Sequence, residues 1–277
     1  GKYPISNVSL NRDLKSMINV YPSLVFNAMV HPVVPYSIKG VLWYQGEANI
    51  GRGYEYRRSL ALLINDWRQR WGAGDFPFYY VQLPGFKGKG GNSNSGSRFA
   101  ELRESQASVL SVPNTGMAVT TDIGERDDIH PKNKQDVGYR LAAIALNRTY
   151  GKDNVFYGPM YKGMEIKDGS VWITFDRIGS GLQVKNGPLV KGFEVAGTDR
   201  VFYNANAIID GDRIKLPSDR DEDPVFVRFA WADYTGEANL FNKEGFPAFP
   251  FRTDTLPGIT QKSRYRIKLG ADHLSKK

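Results

Sequence analysis

The sequence contains no cysteine in its 277 residues, and this absence excludes disulfide bonds, thiolate metal ligands and a cysteine nucleophile. Histidine is scarce as well, with three copies, so each can be judged individually as a catalytic base. No apolar run approaches the roughly 20 residues that a membrane-spanning helix needs. Hydrophobic residues make up 41% of the chain and charged residues 24%. We therefore expect a globular protein of one large or two ordinary domains, with no membrane partner.

Positive charge exceeds negative charge, with 37 Lys and Arg against 29 Asp and Glu and a formal net charge of +8. The basic residues are scattered, and no long basic stripe with interleaved aromatic residues is present. We therefore expect no nucleic-acid partner. A mild attraction to acidic substrates is the most that this excess predicts.

The first half of the chain alternates predicted strands with predicted helices. Apolar runs bounded by turn residues predict buried strands at 41–44, 76–83 and 116–121. Apolar residues at helical spacing predict helices at 22–30, 54–71, 98–111 and 134–150. In the second of these helices the arginines lie away from the predicted apolar stripe, and the glycine- and serine-rich stretch 85–97 predicts a mobile loop. The alternation predicts an α/β fold with parallel strands and right-handed crossovers.

From about residue 154 the pattern changes to short β runs separated by turn signals such as Asp168-Gly169 and Asp210-Gly211. This part predicts an antiparallel, sandwich-like β region. The sequence thus predicts two domains, an α/β portion at 1–153 and a β-rich C-terminal domain at 154–277.

A polar stretch, Gln45–Asn49, follows the first predicted strand directly. In open α/β sheets, ligands bind outside the carboxyl ends of the strands, so polar side chains there are candidates for chemistry. A strand that simply ends in a polar turn has the same pattern. Position alone leaves both interpretations open.

Among the three histidines, His130 is the candidate catalytic base. It follows the third predicted strand in the run Asp127-Asp128-Ile129-His130, where a carboxylate close in sequence is able to hold one imidazole nitrogen and leave the other to act on a serine. His31 lies beside a proline at the end of an apolar segment, which is typical of a structural histidine. His273 lies in a polar tail and is expected to be solvated.

A series of blocks runs in order through nearly the whole chain. The first-half blocks are Trp43–Asn49 with Tyr54, Trp67-Arg68, Pro77-Phe78 with Val81–Leu83, Leu102–Glu104 with Gln106, Asn114–Val119, and Asp122–Lys134. The second-half blocks are Ala196-Gly197 with Asp199 and Phe202, Pro224–Arg228 with Trp231, Asn239-Leu240, and Pro250–Asp254. Together they resemble the sialate O-acetylesterase family of SGNH-type hydrolases.

The resemblance implies a partial SGNH (flavodoxin-like) parallel sheet with flanking helices, and hydrolysis of O-acetyl esters, typically those of sialic acids. It implies a serine nucleophile with an Asp-His pair and neither metal nor other cofactor. His130 would be the general base. Asp127 matches the Asp-x-x-His spacing and Asp128 the Asp-Ile-His-Pro string, so either is the candidate acid.

The resemblance also assigns the stretch after the first strand to an oxyanion block. Gly46 would offer its backbone N–H, and Asn49 or Gln45 a side-chain amide, to the developing oxyanion. Glu47 would order this loop or touch the substrate. Ala48 replaces the serine that the resemblance predicts at this position.

The family's nucleophile lies in a Gly-Gln-Ser-Asn type string, and this sequence contains no such string. Ser93, Ser95 and Ser97 lie in the glycine-rich loop rather than at a strand-to-helix elbow, so they are poor substitutes. We therefore expect a C-terminal portion that depends on an N-terminal segment or chain for its serine and is inactive alone. The resemblance implies a periplasmic or secreted location, lysosomal in a eukaryote.

Two alternatives stay open. A non-catalytic carbohydrate-binding protein would use aromatic residues of the β-rich half to stack on sugar rings. These candidates are Tyr161, Trp172, Tyr203, Trp231 and Tyr234. A related acetylesterase that acts on plant-polysaccharide sugars would differ from the first interpretation in substrate alone.

Overall fold

A computed structural model describes residues 23–217 and 224–265 of the chain. His273 lies outside these described residues. None of the helices in the described ranges is long and apolar enough to span a bilayer.

The first half forms a three-stranded parallel sheet flanked by helices, which confirms the predicted α/β fold. The strands are β1 (Val41–Trp43), β2 (Phe78–Val81) and β3 (Thr115–Ala118), in the order β1-β2-β3. The helices are α1 (Gly53–Trp71), α2 (Arg98–Ser108) and α3 (Lys134–Arg148). Shorter turns occupy Phe26–Val30 (π), His31–Val33, Glu47–Arg52 and Val109–Ser111 (all 3-10). The helix predicted at 22–30 is therefore largely a π turn.

Local sequence explains where the helices begin and end. Ser97 caps the start of α2 by accepting a hydrogen bond from Ala100 N at 3.0 Å, and Asn133 caps α3 by accepting from Asp136 N at 3.0 Å. Helix α1 ends at Gly72, whose φ of 62° lies in the left-handed region that glycine adopts without strain. The loops that precede α2 and α3 follow β2 and β3 and lie at the carboxyl end of the sheet.

Arg68 of α1 corrects the predicted helix pattern. The arginines of this helix were expected to lie away from the buried side, yet Arg68 is buried. Its guanidinium donates to the backbone oxygens of Phe76 and Pro113, both at 2.8 Å, at the amino ends of β2 and β3. The long side chain thus satisfies carbonyls that an apolar residue would leave unpaired.

The second half consists of antiparallel sheets, as predicted. One sheet has the order β4 (Met160–Lys167), β5 (Ser170–Asp176), β10 (Arg213–Pro217), β9 (Ile208–Asp210). The other has the order β13 (Phe251–Arg252), β11 (Phe226–Phe229), β7 (Phe193–Ala196), β8 (Tyr203–Asn204). A third pair joins β12 (Leu240–Asn242) to β6 (Leu182–Val184). Side chains of both four-stranded sheets share one buried cluster, which makes this region sandwich-like.

The glycine-rich loop 85–97 is anchored rather than loose, which corrects the expectation of a mobile loop. Gly91 N donates to Asp233 Oδ2 at 2.8 Å, and Asn94 exchanges two hydrogen bonds with the backbone of Phe202. Ser93 Oγ donates to Glu194. The small residues that predicted mobility instead let the loop backbone pack closely on the β-rich half.

Three arginines carry further contacts between the two halves. Arg103 of α2 is completely buried and donates to the carbonyls of Pro84 and Ala232. Burial lowers the pKa of Arg103 to about 10, although the charge of Asp233 partly offsets this effect. Arg252 of β13 binds Glu104 of α2 through two hydrogen bonds of 2.7 and 3.1 Å.

The third arginine, Arg228 of β11, forms a buried ion pair with Asp254. Two hydrogen bonds of 2.8 and 3.0 Å join the guanidinium to the carboxylate, and a third of 3.0 Å reaches Ser93 O in the glycine-rich loop. Burial alone would raise the pKa of Asp254, but the bonds from Arg228 and the charges of Arg228 and Arg252 more than offset it and hold that pKa below its usual range.

We predict that Asp254→Asn lowers the free energy of unfolding by about 3–5 kcal/mol, because it leaves the buried Arg228 without its counter-charge. Urea unfolding measures this loss. Asp176→Asn is the matched control, since it removes the carboxylate of an exposed pair with Lys162 and is expected to change the midpoint little.

The pH dependence of the free energy of unfolding distinguishes the contribution of the Asp254 charge from that of side-chain packing. The lowered pKa of Asp254 contributes stability that is present above the unfolded-state pKa and is lost as the pH falls through the folded-state pKa. Asp254→Asn is therefore expected to flatten the acid limb of the stability curve. A variant with an unchanged acid limb would contradict this assignment.

Candidate active site

The polar stretch Gln45–Asn49 lies at the carboxyl end of β1, and it is held by an internal hydrogen-bond network. Tyr56 of α1 donates its hydroxyl to Gln45 O and to Gln45 Oε1, both at 3.0 Å. Gln45 Nε2 in turn donates to Asn49 Oδ1 at 2.9 Å, and Asn49 N donates to Gly46 O at 2.8 Å. Because its Oδ1 accepts from Gln45, Asn49 directs its amide Nδ2 away from this network.

Gly46 is buried where the β1 tip meets the sheet and α2. A Cβ at this position would come within 3.1 Å of Leu102 and 3.2 Å of Leu83, so both neighbours would have to move. The 3-10 turn Glu47–Arg52 follows immediately and leads into α1. Glycine therefore lets the backbone lie directly against the apolar floor of the strand tips.

Burial, together with a smaller contribution from the charge of Glu47, raises the pKa of Tyr44 to about 12. The pKa of Tyr56 is raised to about 12, again mainly by burial and with a contribution from Glu47. The Glu47 carboxylate thus lies close to both rings. Each hydroxyl stays protonated at neutral pH, so Tyr56 remains a donor to Gln45.

The loop after β3 is fixed at several points before it reaches His130. Asp122 forms a buried ion pair with Arg140 of α3, with two hydrogen bonds of 2.6 and 2.7 Å. The Gly124 backbone approaches that of Gly85 so closely that no side chain fits between them. Lys87 N donates to Arg126 O at 2.9 Å. The loops after β2 and β3 are therefore held together.

His130 lies at the end of this loop, beside Asp128. His130 N donates to Asp128 Oδ1 at 2.9 Å, and the imidazole Nδ1 lies 3.5 Å from the same oxygen. The backbone hydrogen bond from His130 is the main cause that lowers the pKa of Asp128. Asp127 is exposed, and no hydrogen bond or ion pair joins its carboxylate to His130 within the described residues. The two candidate acids thus differ in geometry, and Asp128 is the one in contact.

The imidazole of His130 is open on its other side, with 88% of the side chain exposed. The segment that carries His130 contacts the β1 tip four residues further on, where Lys134 Nζ lies 4.8 Å from the ring centre of Tyr44. The structure therefore brings the Gln45–Asn49 stretch and the His130 segment to the same edge of the sheet.

The hydroxyls of the three serines in the glycine-rich loop form hydrogen bonds with Glu, Asn and Asp side chains. Ser93 is hydrogen-bonded to Glu194, Ser95 Oγ donates to Asn92 Oδ1 at 3.1 Å, and Ser97 Oγ donates to Asp233 Oδ1 at 2.7 Å. Within the described residues, none of these hydroxyls is hydrogen-bonded to a histidine. Their contacts anchor the loop.

The aromatic residues proposed for sugar stacking mostly have occupied faces. Tyr161 stacks on Phe251 with ring centres 4.6 Å apart, and Arg213 lies 4.3 Å over Trp172. Trp231 is only 5% exposed and lies beside Arg228 and Arg252. These contacts make the three rings part of the packing. Across the described ranges, no group of three or more His, Asp or Glu side chains is arranged to hold a metal ion.

Sequence reasoning missed two residues that shape the site. Tyr56 lies on the predicted apolar stripe of the helix at 54–71, which indicates packing alone, but its hydroxyl organises Gln45. Arg140 was not singled out, although it fixes Asp122 at the start of the His130 loop. A polar-tipped aromatic ring on an otherwise apolar stripe was the available signal for Tyr56.

We predict that Tyr56→Phe weakens folding at neutral pH by about 1 kcal/mol, because it removes both hydrogen bonds to Gln45. It should also make the protein less sensitive to alkali. The folded-state pKa of Tyr56 is about 12, so above the unfolded-state pKa near 10 the unfolded chain loses its proton first and stability falls by about 1.4 kcal/mol per pH unit.

Urea unfolding at about pH 8 and about pH 11 measures both effects. Tyr139→Phe is the control, since the Tyr139 ring is exposed on α3. An alkaline loss of stability that is equal in the wild type and in Tyr56→Phe would contradict the assignment.

Comparison with known proteins gives a consistent family. A family model described as carbohydrate esterase, sialic acid-specific acetylesterase, matches residues 10–147. Mouse sialate O-acetylesterase is 37% identical over 180 residues, which cover 56% of this chain and 32% of the mouse protein. The human enzyme of the same name is 37% identical over 163 residues, covering 52% of this chain and 31% of its own length.

The similarity to a solved structure extends into the second half of the chain. The crystal structure of a carbohydrate acetylesterase from Xanthomonas citri is 45% identical, with a TM-score of 0.80. The match covers 85% of this chain and 55% of that protein. The chain thus spans about a third of the curated relatives and about half of the solved one. Since the matched region contains both the Gln45–Asn49 stretch and the His130 loop, the chain belongs to the sialic acid-specific acetylesterase family of carbohydrate esterases.

Proposed function

We propose that the chain carries the general base and the oxyanion site of a carbohydrate O-acetylesterase whose serine lies on a separate segment. The observation that carries this proposal is the His130–Asp128 pair, which lies at the same sheet edge as the Gln45–Asn49 network. The exposed imidazole faces open space where a nucleophile and an ester have room to approach.

In the proposed reaction the serine hydroxyl attacks the acetyl carbonyl carbon while His130 Nε2 takes its proton. Asp128 lies on the Nδ1 side of the ring, where it fixes the tautomer and stabilises the imidazolium that forms. Collapse of the tetrahedral intermediate breaks the bond to the sugar oxygen, which receives the proton from His130. Water then attacks the acetyl-serine with His130 again as base, and acetate leaves. The same residues therefore serve both half-reactions.

The network at the β1 tip supports Asn49 rather than Gln45 as the side-chain donor to the oxyanion. Gln45 accepts from Tyr56 and donates to Asn49, so it positions its neighbour. The Asn49 Nδ2 donates no hydrogen bond to the described residues and is therefore the proposed side-chain donor. The Gly46 N–H is the proposed backbone donor. Losing one such donor typically costs about 10²–10³ in rate.

Three features support a missing segment beside β1. Val41 N donates to Pro77 O at 2.9 Å toward β2, so the backbone groups of Leu42 point to the other side, where no strand of the described ranges pairs with β1. The Leu42 side chain is 64% exposed, which is unusual for a parallel sheet. The Tyr44 hydroxyl is buried and lacks a hydrogen-bond partner among the described residues.

The substrate is proposed to be an O-acetylated sugar, with O-acetyl sialic acid as the leading candidate because of the family. Acetylated plant polysaccharide is the alternative, and the site described above fits either ester. A periplasmic, secreted or lysosomal location is proposed on the same grounds. The division into an α/β portion at 1–153 and a β-rich domain at 154–277 likewise stays a prediction.

We predict that residues 1–277 alone hydrolyse acetyl esters no faster than buffer, and that joining the upstream segment of a family member restores turnover. In the restored protein, His130→Ala is expected to lower kcat by about 10⁴ or more, because the nucleophile loses its base. His31→Ala is the matched control, since it removes the other described histidine. Restored activity that survives His130→Ala would overturn the proposal.

A second matched pair tests the acid. Asp128→Asn is expected to lower kcat by orders of magnitude, whereas Asp127→Asn should retain most activity. Of these two carboxylates, Asp128 is the one that accepts a hydrogen bond from His130 and lies beside its imidazole. The opposite ranking would move the role to Asp127. Acetate release from O-acetylated sugars measures all of these rates.

A further inference from the structure

A cleft of about 590 Å³ lies between the glycine-rich loop and the β-rich half. Its volume falls within the range of about 300–1,000 Å³ that is usual for small-ligand sites. The residues used above for chemistry, which are Gln45–Asn49, Asp128 and His130, do not line it. The cleft is therefore distinct from the residues proposed for the chemical steps.

Three exposed cations surround this cleft. Lys87 belongs to the glycine-rich loop, Arg126 to the loop after β3, and Lys191 to the segment before β7. Within residues 23–217 and 224–265, none of the three forms an ion pair. Positive groups that converge on a cavity without a counter-charge favour an anionic ligand.

Two carboxylates also line the cleft, but they do not neutralise it. Glu194 of β7 lies opposite Arg228 of β11 in the sheet register and accepts a hydrogen bond from Ser93. Burial raises the pKa of Glu194, and the hydrogen bond from Ser93 and the charge of Arg228 oppose this effect. Glu194 and exposed Glu237 together offset two of the three cations, which leaves one positive charge in excess at the cavity.

The remaining walls suit a sugar ring. Tyr234 is half-buried at the cleft, and its hydroxyl lies so close to Gly236 that a side chain at that position would collide with it. The Asn204 amide supplies a donor and an acceptor for hydroxyl groups. Asn92 supplies its Nδ2 as a donor, because its Oδ1 already accepts from Ser95. An aromatic ring with amides and cations around it matches a polyhydroxylated ligand that carries a carboxylate.

The cleft adjoins the proposed active site through one loop. Arg126 lies four residues before His130, a separation of at most about 14 Å between Cα atoms. Its backbone oxygen accepts from Lys87 N, so the two cations share a fixed support. Arg126 and His130 thus belong to one short loop segment, which joins the cleft to the proposed active site.

We propose that this cleft binds an anionic sugar residue linked to the acetylated one, so that the protein recognises an acidic oligosaccharide beyond the ester it cleaves. This inference rests on the proposed function only in treating the bound glycan as part of the substrate. Binding energy from such a non-reacting residue is available to position the ester at His130, which raises kcat rather than affinity alone.

The test is calorimetric titration of the 277-residue chain with 3′-sialyllactose, and with lactose as its neutral counterpart. We expect the acidic trisaccharide to bind at least about tenfold more tightly, since a charge-assisted hydrogen bond contributes about that factor. Arg126→Gln and Lys191→Gln are each expected to weaken its binding by about tenfold and to leave lactose unaffected.

Lys152→Gln is the matched control, because it removes an exposed positive charge at the end of α3 and away from the cleft. It should bind like the wild type. Tyr234→Ala should weaken both ligands, since it removes the ring rather than a charge. Thermal unfolding of every variant verifies that the fold is intact.

Equal binding of the acidic and neutral sugars, wild-type affinity in both cation variants, or no binding of either probe would overturn the inference. The outcome is independent of ester turnover, since the titration requires no nucleophile. A failed titration would leave the esterase proposal standing. Conversely, if the restored enzyme proved inactive, binding of the acidic trisaccharide to the cleft would still be measurable, and only the esterase proposal would fail.

Discussion

Buried guanidinium groups hold the two halves of this protein in one arrangement. Arg103 reaches from α2 to backbone carbonyls on both sides, Arg252 reaches back to Glu104, and Arg228 binds both Asp254 and the glycine-rich loop. An arginine suits such a joint because its planar group donates several hydrogen bonds in fixed directions and keeps its charge. Packing alone would hold the halves together, but these directed bonds also fix how they are aligned.

That alignment determines the candidate site. The glycine-rich loop leaves β2 and the His130 loop leaves β3, and the two are joined through Gly85, Gly124 and the hydrogen bond from Lys87 to Arg126. The β-rich half also holds the start of the His130 loop, since Thr235 Oγ1 donates to Thr121 O at 2.8 Å. The position of His130 thus depends on residues more than a hundred positions away in sequence, and the β-rich half is a structural part of the site.

Regular elements with strong periodicity were predictable from the sequence, and the short or long-range features were not. Helix α1 and the strand after it follow from apolar spacing alone, as does the alternation that gives the parallel sheet. Strands β6, β12 and β13 span only two or three residues, too few for alternation to stand out. The anchoring of loop 85–97 depends on Asp233, Glu194 and Arg228, which a local pattern of glycines and serines does not reveal. At the candidate site, the position of His130 after β3 was predictable, whereas the hydrogen bond of His130 with Asp128 rather than Asp127 depends on the backbone geometry of the loop.

The outer side of β1 has a consequence for the chain as a molecule in solution. Among residues 23–217 and 224–265 no strand pairs with the outer edge of β1, and such an edge, together with an exposed leucine, forms a template on which another strand is able to add. Natural sheets blunt such edges with charges, prolines or bulges, and β1 has none of these between Val41 and Trp43. The polypeptide is therefore prone to edge-to-edge association whenever this edge is uncovered, so covering β1 protects it from aggregation as well as completing a sheet.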